Sequence, residues 1–120
     1  MTTTIYGIKN CETMKKAFAW LDEHGVAYSF HDYKKAGIDS AKLHAWSKAA
    51  GWKSLLNTRG TTWRKFSPEE QAIETQSAAV ALMQAKPSVI RRPVIETAGG
   101  QLLVGFDPAL FASFLKAEGQ

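Results

Sequence analysis

The sequence has 120 residues, 45% of them hydrophobic, and 15 Lys and Arg residues against 11 Asp and Glu residues. This length indicates one domain with a real core, and basic residues spread along the chain argue against a dedicated nucleic-acid-binding protein. No N-terminal signal and no apolar run long enough to span a membrane are visible. The histidines are scattered, so we expect no metal site. The single cysteine excludes an intramolecular disulfide, and we expect a cytoplasmic protein.

The first third of the chain predicts a strand, a helix and a second strand. Residues 3–8 are apolar enough for a buried strand, and a helix is expected from about Cys11 to Glu23. Its apolar stripe consists of three residues spaced by helical turns: Met14, Phe18 and Leu21. Residues 26–33 alternate in polarity, as in a second strand. Two strands joined by a helical crossover are expected to be parallel.

Residues 38–86 predict an all-helical insertion that follows a loop at Lys34–Gly37. Asp39 or Ser40 can cap its first helix, and Gly51 is expected to end it. Ser67, Pro68 and the following glutamates match the start of another helix. A final helix is expected over residues 77–86.

The pattern then returns to strands. Residues 94–97 and 101–105 predict an antiparallel pair joined by a turn at Ala98–Gly100. Asp107 and Pro108 are expected to begin the last helix, whose apolar face would be formed by Leu110, Phe111, Phe114 and Leu115. We therefore predict a single α/β domain over residues 1–120, with a thioredoxin-like βαβ–ββα order, a mixed four-stranded sheet and the helical insertion at about 38–86.

Cys11 is the candidate nucleophile because it begins the first helix. The backbone N–H groups and the positive end of the helix dipole both favour a thiolate at this position. The alternative is a small buried hydrophobic residue, which is the usual role of a free cysteine. With one cysteine, the chemistry must be monothiol, so Cys11 would form a mixed disulfide that an external thiol resolves.

The predicted topology brings Arg92 and Pro93 close to Cys11. Arg92 precedes a proline, which favours an extended backbone. We expect the Arg92–Pro93 bond to be cis and Pro93 to face Cys11, as the matching proline does in thioredoxin-like folds. We expect the Arg92 side chain at the site and the Arg91 side chain in solvent, because neighbouring strand residues point in opposite directions.

Four stretches in this order resemble the ArsC/Spx-like arsenate reductase family. They are Ile5-Tyr6, Asn10-Cys11, Leu55-Leu56-Asn57-Thr58-Arg59 and Ile90-Arg91-Arg92-Pro93-Val94. The chain looks closest to the YffB-type members, whose Lys-Asn-Cys-[Asp/Glu]-Thr stretch is matched by residues 9–13. The resemblance covers roughly residues 3–116.

The resemblance implies an active-site cysteine surrounded by arginines. In the arsenate reductases the cysteine attacks arsenate, and glutathione and glutaredoxin complete the reduction. The first two arginines match Arg59 and Arg92, whereas residues 103–105, where the third is expected, contain none. YffB-type members are instead thought to be glutathione-dependent thiol reductases. The Spx regulators, which bind RNA polymerase, usually carry Cys-x-x-Cys, but Met14 occupies the position of the second cysteine.

Four other residues are candidates for the site. Arg59 could bind a carboxylate or oxyanion through its guanidinium group, or could be solvated. Lys9 could favour the thiolate or be solvated. Asn10 is a candidate helix cap. Thr13 could help to bind an anion at the helix start, or face solvent.

These observations predict a glutathione-dependent monothiol oxidoreductase. Cys11 would be the nucleophile, and Arg59, Arg92, Pro93, Lys9, Asn10 and Thr13 would bind glutathione or substrate. The expected partners are glutathione or another small thiol, with glutaredoxin as a further candidate, and neither nucleic acid nor a membrane. The alternatives are a non-enzymatic Spx-like regulator that binds RNA polymerase, and an arsenate reductase.

Overall fold

The computed structural model describes residues 3–9 and 11–115. The chain divides into two compact units. The sheet unit is Met1–Asp32 with Arg92–Gln120, and the helical unit is Tyr33–Arg91. Within the described residues, no helix is long and apolar enough to cross a membrane.

The elements follow the predicted order along the chain. They are β1 (Thr3–Gly7), α1 (Glu12–Glu23), β2 (Tyr28–Asp32), α2 (Tyr33–Ala36), α3 (Ser40–Ala50), α4 (Trp52–Leu55), α5 (Thr61–Arg64), α6 (Pro68–Gln71), α7 (Gln76–Ala85), a 3-10 helix (Pro87–Val89), β3 (Val94–Glu96), β4 (Leu102–Val104) and α8 (Pro108–Phe114).

The sheet unit contains one mixed sheet with the strand order β2-β1-β3-β4. The β1 and β2 strands are parallel, whereas β3 is antiparallel to both β1 and β4. In the central register, Ile5 lies opposite Phe30 on one side and Ile95 on the other. This is the thioredoxin-like arrangement, so the predicted fold class is confirmed.

The core of the sheet unit joins one face of the sheet to α1 and α8. Ile5, Met14 and Ile95 are fully buried in it, together with Phe111 of α8. The expected apolar face of the last helix is only partly correct. Phe114 is 44% exposed, since the buried side of the seven-residue α8 is too narrow to cover every apolar residue.

Side-chain caps set the helix boundaries in the helical unit. Asp39 accepts a hydrogen bond of 2.8 Å from the Lys42 N–H at the start of α3. Ser67 and Glu70 form a reciprocal capping box at α6. Gly51 ends α3 at a φ of 87°, a conformation that glycine adopts without steric cost. The predicted Asp39 cap and the Gly51 stop are therefore confirmed.

Two features of the helical unit differ from the predictions. The expected loop at Lys34–Gly37 is largely the short helix α2, which begins at the buried Tyr33. An isolated antiparallel bridge also pairs Leu56 with Ile90. The short helix forms because burial of the Tyr33 side chain contributes more free energy than the loop preference of Lys34, Lys35 and Gly37 costs. The prediction of a single domain over residues 1–120 stays a prediction.

Candidate functional site

Cys11 occupies the N-cap position of α1. Its backbone is extended, with φ at −138° and ψ at 132°, and its carbonyl accepts the first helical hydrogen bond from the Lys15 N–H at 2.9 Å. The side chain is half-buried against the apolar core of the sheet unit. The sulfur is therefore held by the fold and still reachable from solvent.

The surroundings of Cys11 favour the thiolate. Partial burial raises the pKa of the Cys11 thiol, but the Met14 backbone N–H, the positive charge of Arg92 and the Thr13 backbone N–H lower it, and a hydrogen bond from the Arg92 side chain adds to this. The net result is a pKa below the ordinary value for cysteine. Because the thiolate is the nucleophilic form, this environment is suited to attack on an electrophilic sulfur or oxyanion.

Arg92 reaches Cys11 from the segment that leads into β3. The Arg92–Pro93 peptide bond is cis, as expected from the sequence, and Pro93 is buried. The Pro93 carbonyl accepts a hydrogen bond of 2.8 Å from the Gly105 N–H, which ties this segment to the end of β4. The structure therefore brings together two of the predicted site residues that are distant in sequence.

Gly105 lies in the stretch 103–105, where the resemblance implies a third arginine. Its φ is 86°, in the region that favours glycine. An arginine at this position would be strained by about 1–2 kcal/mol, since a Cβ crowds the following carbonyl oxygen there. The local backbone thus favours glycine over arginine at position 105.

Met14 and Gly7 pack together at the first turn of α1, although no sequence pattern links them. The Met14 side chain is fully buried. A Cβ built on Gly7 would lie 2.6 Å from Met14 Cε, so any larger residue at the end of β1 would require the buried Met14 side chain to shift. The same residue directs its backbone N–H toward the thiolate of Cys11. The only sequence signal was that Met14 stands at the third helical position after the cysteine.

The remaining candidates near Cys11 have different outcomes. Thr13 contributes its backbone N–H. Lys9 is exposed, and it is not among the described groups that shift the pKa of Cys11. Asn10, predicted as the helix cap, lies outside the described residues, and the N-cap position itself is Cys11. A role for Lys9 or Asn10 in binding stays a prediction.

Arg59 belongs to an ordered loop of the helical unit. Its backbone N–H donates to Asn57 Oδ1 at 3.3 Å, and the Asn57 N–H donates to the Val89 carbonyl at 2.7 Å. The Arg59 side chain is exposed. The loop therefore presents a guanidinium group on a fixed backbone, whereas its binding role stays a prediction.

Among the described residues, no group of three or more His, Cys, Asp or Glu side chains could hold a metal ion.

Comparison with known proteins identifies the family. The sequence model of the ArsC family matches residues 6–114. The chain belongs to the ArsC family. A solved structure described as the YffB (PA3664) protein is 52% identical, with a TM-score of 0.90 over 95% of this chain and 99% of that one.

Other ArsC-related proteins differ in their described roles. The structure of an arsenate reductase (ArsC) related protein from Brucella melitensis is 49% identical, with a TM-score of 0.74 over 94% of this chain and 93% of that one. The global transcriptional regulator Spx of Listeria innocua is 28% identical over 94 residues, covering 77% of this chain and 71% of Spx. Family membership therefore supports the resemblance found in the sequence and leaves the reaction to be proposed.

Proposed function

We propose that this ArsC-family protein is a glutathione-dependent monothiol reductase. The observation that carries the proposal is the half-buried Cys11 at the N-cap of α1, whose pKa is lowered by helix N–H groups and Arg92. Similarity to thiol-based reductases of the ArsC family is consistent with this chemistry. Cys11 is the single cysteine of the sequence, so the resolving thiol must come from another molecule.

The proposed cycle has two exchange steps. The Cys11 thiolate attacks a disulfide between glutathione and a substrate thiol, forming a Cys11–glutathione disulfide and releasing the substrate as a thiolate. A second glutathione thiolate then attacks the glutathione sulfur of this mixed disulfide. Oxidised glutathione leaves, and the Cys11 thiolate is restored. The two electrons that reduce the disulfide come from two glutathione molecules. One is the glutathione added in the second step, and the other is the glutathione that was bound to the substrate.

Arg92 has two roles in this proposal. Its positive charge favours Cys11 as the attacking thiolate and as the leaving group in the second step. A guanidinium group can also bind a carboxylate of glutathione. We propose the same binding role for Arg59, on the basis of the resemblance and its exposed position in an ordered loop.

The test is the rate of Cys11 alkylation by iodoacetamide against pH, combined with mass spectrometry after exposure to oxidised glutathione. We expect a midpoint below the value of about 8.5 for a free cysteine, and a glutathione adduct that reduced glutathione removes. Cys11→Ser is the control for both readouts. A midpoint at the free value together with no adduct would refute the proposal.

A non-enzymatic regulator is the second candidate, and the similarity to Spx favours it. This alternative requires binding to RNA polymerase that does not depend on the thiol. Purified RNA polymerase retained equally by the wild-type protein and by Cys11→Ser would support it, whereas no retention by either would exclude it. Arsenate reduction is a weaker candidate, since residues 103–105, where a third arginine is expected, contain none.

A further inference from the structure

A pocket in the helical unit has no part in the proposed chemistry. Its walls come from α4, α5, α6 and the loops between them, and are formed by Trp52, Lys53, Leu56, Thr58, Trp63, Gln71 and Ile73. Two tryptophans in one small pocket are notable because tryptophan is among the residues that contribute most to binding energy in protein interfaces.

Hydrogen bonds and ring contacts hold the walls of this pocket in place. The Gln71 side chain donates to the Trp63 carbonyl at 2.8 Å, which joins α6 to α5. Leu56 is fixed by its bridge to Ile90. Lys53 Nζ lies 5.6 Å from the centre of the Trp52 ring, within the range of a cation–π contact. The pocket is therefore formed before any ligand arrives.

The volume of the pocket indicates what size of group it can bind. Its volume is about 180 Å³, below the range of roughly 300–1,000 Å³ that is usual for small-molecule sites. A space of this size suits one large side chain of a partner protein. Interfaces commonly rely on such anchor residues, which insert into a preformed pocket.

The net charge of the helical unit indicates the chemistry of the partner. The helical unit, Tyr33–Arg91, contains 10 Lys and Arg residues and 4 Asp and Glu residues, a net charge of +6, whereas the rest of the chain contains 5 and 7, a net charge of −2. Between Asp39 and Glu69 there is no acidic residue. Lys53 lines the pocket within this stretch, whereas Glu69 and Glu70 lie in α6, the helix whose Gln71 also lines the pocket.

We infer that this pocket is a docking site for an acidic segment of a partner protein. The segment would insert one aromatic or branched aliphatic side chain into the pocket and place its carboxylates toward Lys53 and away from α6. The apolar walls supply the binding energy of the anchor, and the surplus of basic residues steers the acidic segment toward the pocket. Docking of this kind is independent of the reaction proposed for Cys11.

The test uses the full chain and a short dye-labelled peptide in which a central phenylalanine is flanked by glutamates and aspartates. Fluorescence anisotropy gives its Kd. We expect saturable binding that weakens about tenfold in Lys53→Glu and less than about twofold in Lys48→Glu. Lys48 is a matched control because it is also an exposed lysine in the last turn of its helix, but it lies outside the pocket. Replacing the phenylalanine of the peptide with alanine is expected to weaken binding by a similar factor.

Indole NMR signals provide a second readout that does not depend on a variant. Peptide addition is expected to shift the signals of Trp52 and Trp63 and to leave those of Trp20 and Trp46 in place. Equal losses in Lys53→Glu and Lys48→Glu would overturn the inference, since net charge alone would then explain binding. Tighter binding of a labelled single-stranded oligonucleotide, or no binding of the peptide at millimolar concentration, would also overturn it. Loss of glutathione chemistry in Cys11→Ser with unchanged peptide binding would leave docking intact.

Discussion

Replacing Arg92 with glutamine is expected to make Cys11 a weaker nucleophile at neutral pH. The guanidinium group lowers the pKa of the Cys11 thiol by its charge and by a hydrogen bond, whereas the backbone N–H groups of Met14 and Thr13 remain in the variant. A charge-assisted contact between partly exposed groups contributes about 1 kcal/mol. This corresponds to a roughly fivefold smaller thiolate population at any pH below the thiol pKa.

The alkylation rate changes less than the thiolate population, because a more basic thiolate is also more nucleophilic. With a Brønsted coefficient of about 0.4–0.5, the rate with iodoacetamide is expected to fall only about two- to threefold below the pKa. Above the pKa, where both proteins are fully ionised, Arg92→Gln is expected to react about twofold faster. The pH–rate profiles of the two proteins should therefore cross.

Arg91→Gln is the matched control for this experiment. It removes the same charge from the adjacent residue, whose side chain is exposed and whose backbone N–H donates to the Leu55 carbonyl in the helical unit. Its profile should overlay that of the wild type. If both variants shift the profile equally, net charge and not the contact with Cys11 controls the thiol. If neither does, the helix N–H groups suffice and the role assigned to Arg92 is wrong.

Three further substitutions test other parts of the structure. Gly7→Ala is expected to lower the free energy of unfolding in urea by about 1–3 kcal/mol, because the new methyl group would collide with Met14; an unchanged midpoint would contradict this packing. Because the folded-state pKa of Cys11 is lowered, ionisation of Cys11 stabilises the folded state. This stabilisation is complete above the unfolded-state pKa of about 8.5 and is lost below the folded-state pKa. The difference in unfolding free energy between the wild type and Cys11→Ser should therefore grow as pH rises through this window, and a pH-independent difference would refute the lowered pKa. Arg59→Gln is expected to raise the KM for glutathione about fivefold with little change in kcat, and an unchanged KM would exclude Arg59 from glutathione binding.

The order of the elements could be predicted because local signals mark most of their ends. Asp39 and Ser67 cap helices through their own side chains, and Gly51 ends one through its backbone. Alternation and apolar runs mark the strands. Short elements could not be predicted in this way. The helix α2 exists because Tyr33 is buried, and burial by residues distant in sequence leaves no local pattern.

The candidate site was predictable where topology alone determines proximity. The βαβ–ββα order places the start of α1 beside the start of β3, and the structure accordingly brings Arg92 to Cys11. The contact between Gly7 and Met14 could not be predicted, since it depends on how closely a strand end approaches a helix. The pocket was missed for a similar reason. Trp52 and Trp63 carry no local pattern that predicts a pocket, and only the folded path of the chain brings them together.

The distribution of charge gives thiol reactivity and docking different dependences on salt. Arg92 acts on Cys11 at hydrogen-bond range, within a unit whose overall charge is −2, so its effect must be local. Docking of an acidic segment depends on the contact with Lys53 and is also assisted by the +6 charge of the helical unit acting across solvent. Because the Debye length is about 8 Å at physiological ionic strength and about 3 Å at 1 M, salt screens the second interaction far more than the first. Raising the salt concentration should therefore weaken peptide binding steeply while the pH–rate profile of Cys11 changes little, and parallel changes in both would mean that one long-range field controls them.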